Sequence, residues 1–226
     1  MIATGLLGNA SYEAHRLNES HIKELLTLQL EVVEALEDKE ILQPLDEEEL
    51  RFILSGHGVM IGVFVEEKLI AFRALLQPEL DEEHLGYDIG LSTEAELKQV
   101  LYQEISNVHP AYRGYGLQRT MADIIMQQVD LTKFNVVCAT VMPGNIASLK
   151  DKFSQGMHVA ALKLKYGGKL RYVFMKDLMR EGIAAWQQEQ FVPMDDTKGQ
   201  QALLKSGFVG KSMKKTGDNW LVQYVK

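Results

Sequence analysis

"VHPAYRGYGLQRTM", residues Val108 to Met121, is where an apolar strand pattern stops and a helical one begins. One proline, one arginine and two glycines crowd into the junction. Glycine frees the chain for positive φ and lets a ligand approach the backbone closely. The helix that follows leaves its first N–H groups without intrahelical partners, and its dipole favours negative charge at that end. A strand, a glycine-containing turn and a helix N-terminus together make an anion cradle, usually for phosphate.

Outward from this point, hydrophobic periodicity lays out the chain. "YEAHRL" reads as a short strand, and Ser20 can cap a helix with an apolar stripe through Ile22, Leu25, Leu26, Val33 and Leu36. A second helix lies in "LDEEELRFILS", followed by two strands in "VMIGVFVEEKLIAFRALL" around a turn at Glu66-Glu67-Lys68. Residues 78–96 form an acidic, glycine-dotted connection. Val100 to Val108 is strand, and Leu117 to about Asp130 is helix, with Leu117, Met121 and Ile125 on one face. "NVVCATVM" is a buried strand, "IASLKDKFSQ" a helix, and "AALKLKYGGKLRYVFMKDL" a hairpin. The order β-α-α-β-β, β-α, β-α, β-β predicts an α/β (α+β) fold with a mixed sheet covered by helices. After Leu178 a helix is expected in "IAAWQQEQ", then a helix ending at Gly207 and a hairpin turning near Gly217-Asp218. No internal repeat is visible in the sequence.

Bulk properties narrow the chemistry. The 226 residues are 46% hydrophobic, enough for a globular core. Lys and Arg total 24 against 31 Asp and Glu, a net charge of −7, which argues against a nucleic-acid or anionic-membrane partner. The N-terminus lacks the pattern of a signal peptide and no apolar run reaches about eighteen residues, so a cytoplasmic protein is expected. Asn18-Glu19-Ser20 is a formal glycosylation sequon better read as a helix start. The single cysteine, Cys138, lies in an apolar run and reads as core rather than as a reactive thiol. The histidines show no ligand spacing, so no metal is expected. Gly210-Lys211-Ser212 resembles the end of a P-loop, but Lys205 stands where its first glycine belongs.

The junction also carries a family signature. Val108, Pro110, Arg113, Gly114, Gly116 and Leu117 resemble the Val-x-Pro and Arg/Gln-x-x-Gly-x-Gly/Ala motif of the GNAT superfamily of acyl-CoA-dependent N-acetyltransferases, with one departure, Gln118 in place of the final Gly/Ala. Asn145, Ser148 and Gly156-Met157 resemble a second motif, Asn-x-x-Ser/Ala opening the next helix and Gly-Phe closing it. The resemblance covers roughly Tyr12 to Leu178. It implies a GNAT domain over residues 10–178 with a C-terminal extension over 179–226, packed on the same domain and made of helices and a strand hairpin. It further implies a mostly antiparallel central sheet splayed between its fourth and fifth strands.

Function follows from the same resemblance. It implies transfer of an acetyl group from acetyl-CoA directly to a primary amine of a small molecule or peptide. The coenzyme A pyrophosphate would lie on the N–H groups of Arg113, Gly114, Tyr115, Gly116, Leu117 and Gln118, and the Val108 N–H would hold the thioester carbonyl and its oxyanion. Asn145, with Ser148, would contact the pantetheine or simply cap its helix; the two roles are compatible. An alkyl ammonium has a pKa near about 10, so something must take its proton. Glu104 lies four residues before Val108, where alternation puts both side chains on one face. It is either the base or a glutamate at the wet edge of the sheet. The family's acid tyrosine position is Lys152, which leaves Tyr166 or Tyr102 as substitutes. In the acidic connection Tyr87 and Asp88 are candidates for holding a cationic acceptor, against a merely solvated loop. A homodimer is possible. The alternative function is a non-catalytic acyl-CoA-binding regulatory module, suggested by Lys152 and Gln118.

Overall fold

The computed structural model describes residues 1–39, 42–180 and 186–226. They form two compact units, Met1–Pro78 with Leu101–Asp130, and Glu79–Val100 with Leu131–Lys226. The boundary between the units falls inside the 10–178 span.

In the first unit five antiparallel strands run in the order β1 (Ala3–Leu7), β2 (Ala10–Arg16), β3 (Gly58–Val65), β4 (Lys68–Leu76) and β5 (Val100–Val108). The first strand escaped the sequence reading because its alternation spans five residues. Helix α1 (Ile22–Glu34) and the short α2 (Glu47–Phe52) cover one face of the sheet. Leu25, Leu28, Val32, Leu50 and Ile53 pack there against Met60, Phe72, Ala74 and Ile105. Ser20 does not cap the first helix. Asn18 accepts from the Ser20 N–H at 3.0 Å and opens a 3-10 turn over Glu19–His21 that leads into α1. Buried Gln29 clasps the link between α1 and α2, donating to the Leu45 carbonyl and accepting from the Leu45 N–H, both at 2.9 Å. The opposite face of the sheet is covered by α5 (Leu117–Met126), which buries Leu117, Met121 and Ile125 as its periodicity predicts.

The second unit holds two short helices, α3 (Leu85–Asp88) and α4 (Glu94–Leu97), in the acidic connection. Its sheet runs β6 (Val136–Val141), β8 (Lys169–Asp177), β7 (His158–Lys165), β10 (Val209–Thr216), β11 (Asn219–Val225), β9 (Glu189–Pro193), every pair antiparallel. Helices α6 (Ile146–Ser154) and α7 (Thr197–Lys205) pack on it. The helix expected in "IAAWQQEQ" fails where it can be followed: residues 181–185 lie outside the described residues, 186–188 have no regular structure, and Glu189–Pro193 is strand β9. The reading of no internal repeat is also overturned, because strand–helix–strand–strand occurs twice. Among the described residues no helix is long and apolar enough to cross a membrane.

Candidate functional site

The opening stretch folds as a cradle within the first unit. Pro110–Tyr112 makes one 3-10 turn, started by the His109 ring accepting from the Ala111 N–H at 3.1 Å. Arg113 is extended, Gly114 has φ +87° and Gly116 has φ +75° at the N-cap of α5. A side chain at either glycine would meet nothing within 4 Å. The glycines are therefore required by backbone conformation, and the space above them is open to a ligand. Gly116 brings no side-chain acceptor to the helix start, so no side chain of its N-cap meets the first N–H groups of α5. Arg113 and Tyr115 are exposed beside them, whereas the Leu117 side chain is a buried anchor.

Beneath the cradle lies a residue that the motifs did not point to. Arg73 on β4 is 1% exposed, and its guanidinium donates to the Gln118 carbonyl at 3.1 Å and to Gln103 Oε1 at 2.7 Å. It fixes the first turn of α5 and sets a buried positive charge beneath the glycine turn. Gln118 fits without disturbing the helix: its carbonyl is held by Arg73 and its side chain is half-buried. The signal was present in "LIAFRALL", where an arginine interrupts an apolar strand.

Strand β5 carries Glu104 and Val108, but not as simple alternation requires. Ala74 pairs with Ile105 and Leu75 with Gln103, so Glu104 is the extra residue of a β-bulge. Gln103 reaches Arg73 and, at 4.0 Å, the Met126 sulfur on the α5 side, while Ile105 packs in the core under α1 and α2. The two residues flanking Glu104 thus face opposite ways. The expectation that Glu104 and Val108 share a face is overturned, since the bulge shifts the period between them. Water reaches the Glu104 side chain, yet enough protein surrounds the carboxyl that its pKa rises from 4.5 to about 7, through desolvation and then the charge of Glu49. Buried Val108 pairs with Ala71, and the next N–H, that of His109, bonds the Ile70 carbonyl at 2.8 Å. Successive N–H groups alternate in direction along a strand, so the Val108 N–H points away from β4.

In the second unit Asn145 caps α6, its Oδ1 accepting from the Ser148 N–H at 3.2 Å. Lys152, in place of the tyrosine, is buried and donates to Asp151 Oδ2 at 3.0 Å. Tyr166 turns at φ +51° beside Thr140, whose hydroxyl donates to the phenol oxygen at 3.4 Å. Cys138 is buried and its thiol is pushed up to about 12, chiefly by desolvation, which removes it as a nucleophile.

Asp88 departs from its expected role. Its side chain is 2% exposed, with Lys163 bonded to Oδ1 and Lys165 at 3.3 Å from Oδ2. Lys165, itself buried, also donates to the Glu83 carbonyl at 2.7 Å. Two ammonium groups already balance Asp88, so it is a clamp tying the acidic connection to β7 rather than an open carboxylate for a cationic acceptor. Tyr87 beside it is 48% exposed. His84 is held neutral by burial, accepting from the Gly86 N–H at 3.0 Å. Asp88→Asn takes from buried Lys165 its buried counter-charge, leaving the exposed Glu83 carboxylate at 3.6 Å, and should cost about 3 kcal/mol in urea unfolding, little changed by salt because the pair is buried.

No family model and no curated protein sequence matches the chain. Solved structures do. A GNAT-family acetyltransferase from Listeria monocytogenes is 13% identical with a TM-score of 0.56, over 78% of this chain and 100% of that one. A putative acetyltransferase from Salmonella typhimurium, solved with its cofactor acetyl-CoA, is 14% identical with a TM-score of 0.55, over 76% and 96%. A ribosomal-protein-alanine N-acetyltransferase from Brucella melitensis is 17% identical with a TM-score of 0.55, over 74% and 99%. The chain thus shares its fold with these acetyltransferases, one of them of the GNAT family.

Proposed function

We propose that the protein is an acetyl-CoA-dependent N-acetyltransferase that passes the acetyl group directly to a primary amine of a small molecule or peptide. The observation that carries this reading is Glu104, a water-accessible carboxyl on the strand bulge whose pKa of about 7 suits a general base at neutral pH. The cradle from Arg113 to Gln118, with Arg73 beneath it, would hold the pyrophosphate of the donor through backbone N–H groups and positive charge. Glu104 takes the proton of the acceptor ammonium, directly or through water. The freed lone pair then attacks the thioester carbonyl carbon. The Val108 N–H donates to the oxygen as it gains charge. The C–S bond breaks as the amide forms, and the leaving thiolate takes up a proton.

Because Lys163 and Lys165 neutralise Asp88, acceptor charge is not read by that residue, and the exposed carboxylates of Glu79, Asp81 and Glu82 are what remain in the connection to attract a cation. The test follows thiol release from acetyl-CoA across a panel of primary amines. Amine-dependent release is expected. Coenzyme A binding without release from any amine would replace this reading with the non-catalytic acyl-CoA-binding module, and absence of binding would overturn both.

A further inference from the structure

The two strand–helix–strand–strand sets of the second unit match position by position. Asn145 and Asp196 each cap a nine-residue helix and accept from the N–H three residues on, Ser148 at 3.2 Å and Gly199 at 2.9 Å. Gly156 at φ +73° and Gly207 at φ +86° close those helices. The eight-residue strands β7 and β10 follow, each with a bulge at the equivalent place, between Val159 and Ala161 and between Gly210 and Ser212. Partner registers agree as well. Leu162 pairs with Tyr172 as Met213 pairs with Val222, and Val141 pairs with Tyr172 as Val192 pairs with Val222. Residues from Cys138 to Lys165 thus correspond to those 51 positions later, Glu189 to Thr216, before one residue is lost in the second hairpin turn.

The seam between the copies is where this correspondence becomes informative. β7 and β10 meet antiparallel at Val159 and Gly210, and these two residues are equivalents of one another. A strand pair centred on equivalent residues has a local two-fold axis, the arrangement of an isologous dimer contact. Side chains cross the seam reciprocally from equivalent helix positions. Lys150 of α6 lies over the Trp220 ring at 5.3 Å, and Gln201 of α7 donates to the Leu162 carbonyl at 2.9 Å. Buried Gln200 joins the two copies, accepting from Tyr172 at 2.7 Å and Tyr224 at 2.9 Å. At the axis a Cβ on Gly210 would lie 2.9 Å from the Val159 Cβ, so glycine is what lets the strands close.

We propose that the outer edge of β7 is a self-association surface whose partner is a βαββ set of its own kind, and that this chain fills it from within. The C-terminal copy stands where the corresponding half of a second subunit would pair, so the seam is an internalised two-fold interface and the chain is a monomer.

Two measurements on the whole chain test this. Sedimentation equilibrium of the wild type across a wide concentration range should give 25.5 kDa throughout. A dimer mass would overturn the proposal. The double variant Val159→Cys, Gly210→Cys places thiols at the axis, where the Cβ atoms need to move apart by several tenths of an ångström to reach disulfide spacing. Buried Cys138 does not compete. Mild oxidation should produce closed monomers that run faster on a non-reducing gel. Disulfide-linked dimers would mean that the copy is exchanged between chains, and persistently free thiols in folded protein would mean that the seam does not form; either result overturns the proposal. Should the double variant fail to fold, the wild-type mass still decides.

Discussion

Glu104→Gln should lower acetyl transfer at neutral pH by about a hundredfold to ten-thousandfold, the usual contribution of a general base, while acetyl-CoA affinity should hardly change. The wild-type rate should climb with pH through about 7, where the Glu104 carboxyl ionises, and then level off. The glutamine variant should lack that limb, and its deficit should shrink at high pH where more of the amine is already neutral. A stability measurement gives a second reading of the same group. Its folded pKa lies above the ordinary carboxylate value, so between about pH 4.5 and 7 the folded state holds more protons than the unfolded chain. Stability contributed by this site therefore falls as pH rises through that window, and Glu104→Gln should raise Tm at pH 8 relative to wild type but not at pH 4. Superimposable single-turnover profiles with chemistry rate-limiting would remove Glu104 as the base.

Gly116→Val should weaken coenzyme A binding at least about a hundredfold. Two costs add. A β-branched residue is strained at φ +75°, by about 1–3 kcal/mol. Its side chain would also enter the open space that the phosphates need, disrupting charge-assisted hydrogen bonds of about 1.5–3 kcal/mol each. Since no protein atom lies within 4 Å of the added Cβ, the unliganded chain should still fold, so titration calorimetry on a variant with native circular dichroism isolates the effect. Unchanged affinity would move the phosphate site elsewhere. Arg113→Ala should act more weakly and mainly at low salt, because its exposed charge is screened and the backbone donors persist.

The cradle was legible in the sequence because its physics is local. Positive-φ glycines, an arginine and a helix start sit within a few residues of each other, and β5 was bounded to the residue, Val100–Val108. What sequence periodicity could not show was the bulge, since inserting one residue in a strand leaves its apolar content unchanged while turning Glu104 to another face. The pairing of Asp88 was hidden for a different reason. Its partners Lys163 and Lys165 follow some 75 residues later and show no pattern that names them. The duplication is concealed by substitution even in the core. Leu149 answers to Gln200 and Phe174 to Tyr224, all four fully buried, so two apolar positions in one copy correspond to a hydrogen-bonded pair in the other.

The clamp on Asp88 has a consequence for how the chain emerges during synthesis. The first unit needs β5 and α5, which follow the acidic connection, so residues 79–100 must be looped out before that unit can close at Asp130. The loop is short enough for closure to cost little. Its carboxylate, however, waits for Lys163 and Lys165. Until the ribosome has added those residues and they clear its exit, Asp88 lacks the counter-charges it has in the folded chain and should stay in water. Charge neutralisation rather than hydrophobic collapse then sets the moment at which the second unit can bury it, and Asp88→Asn, by removing that wait, should let the connection collapse early in a nascent chain arrested before Lys163.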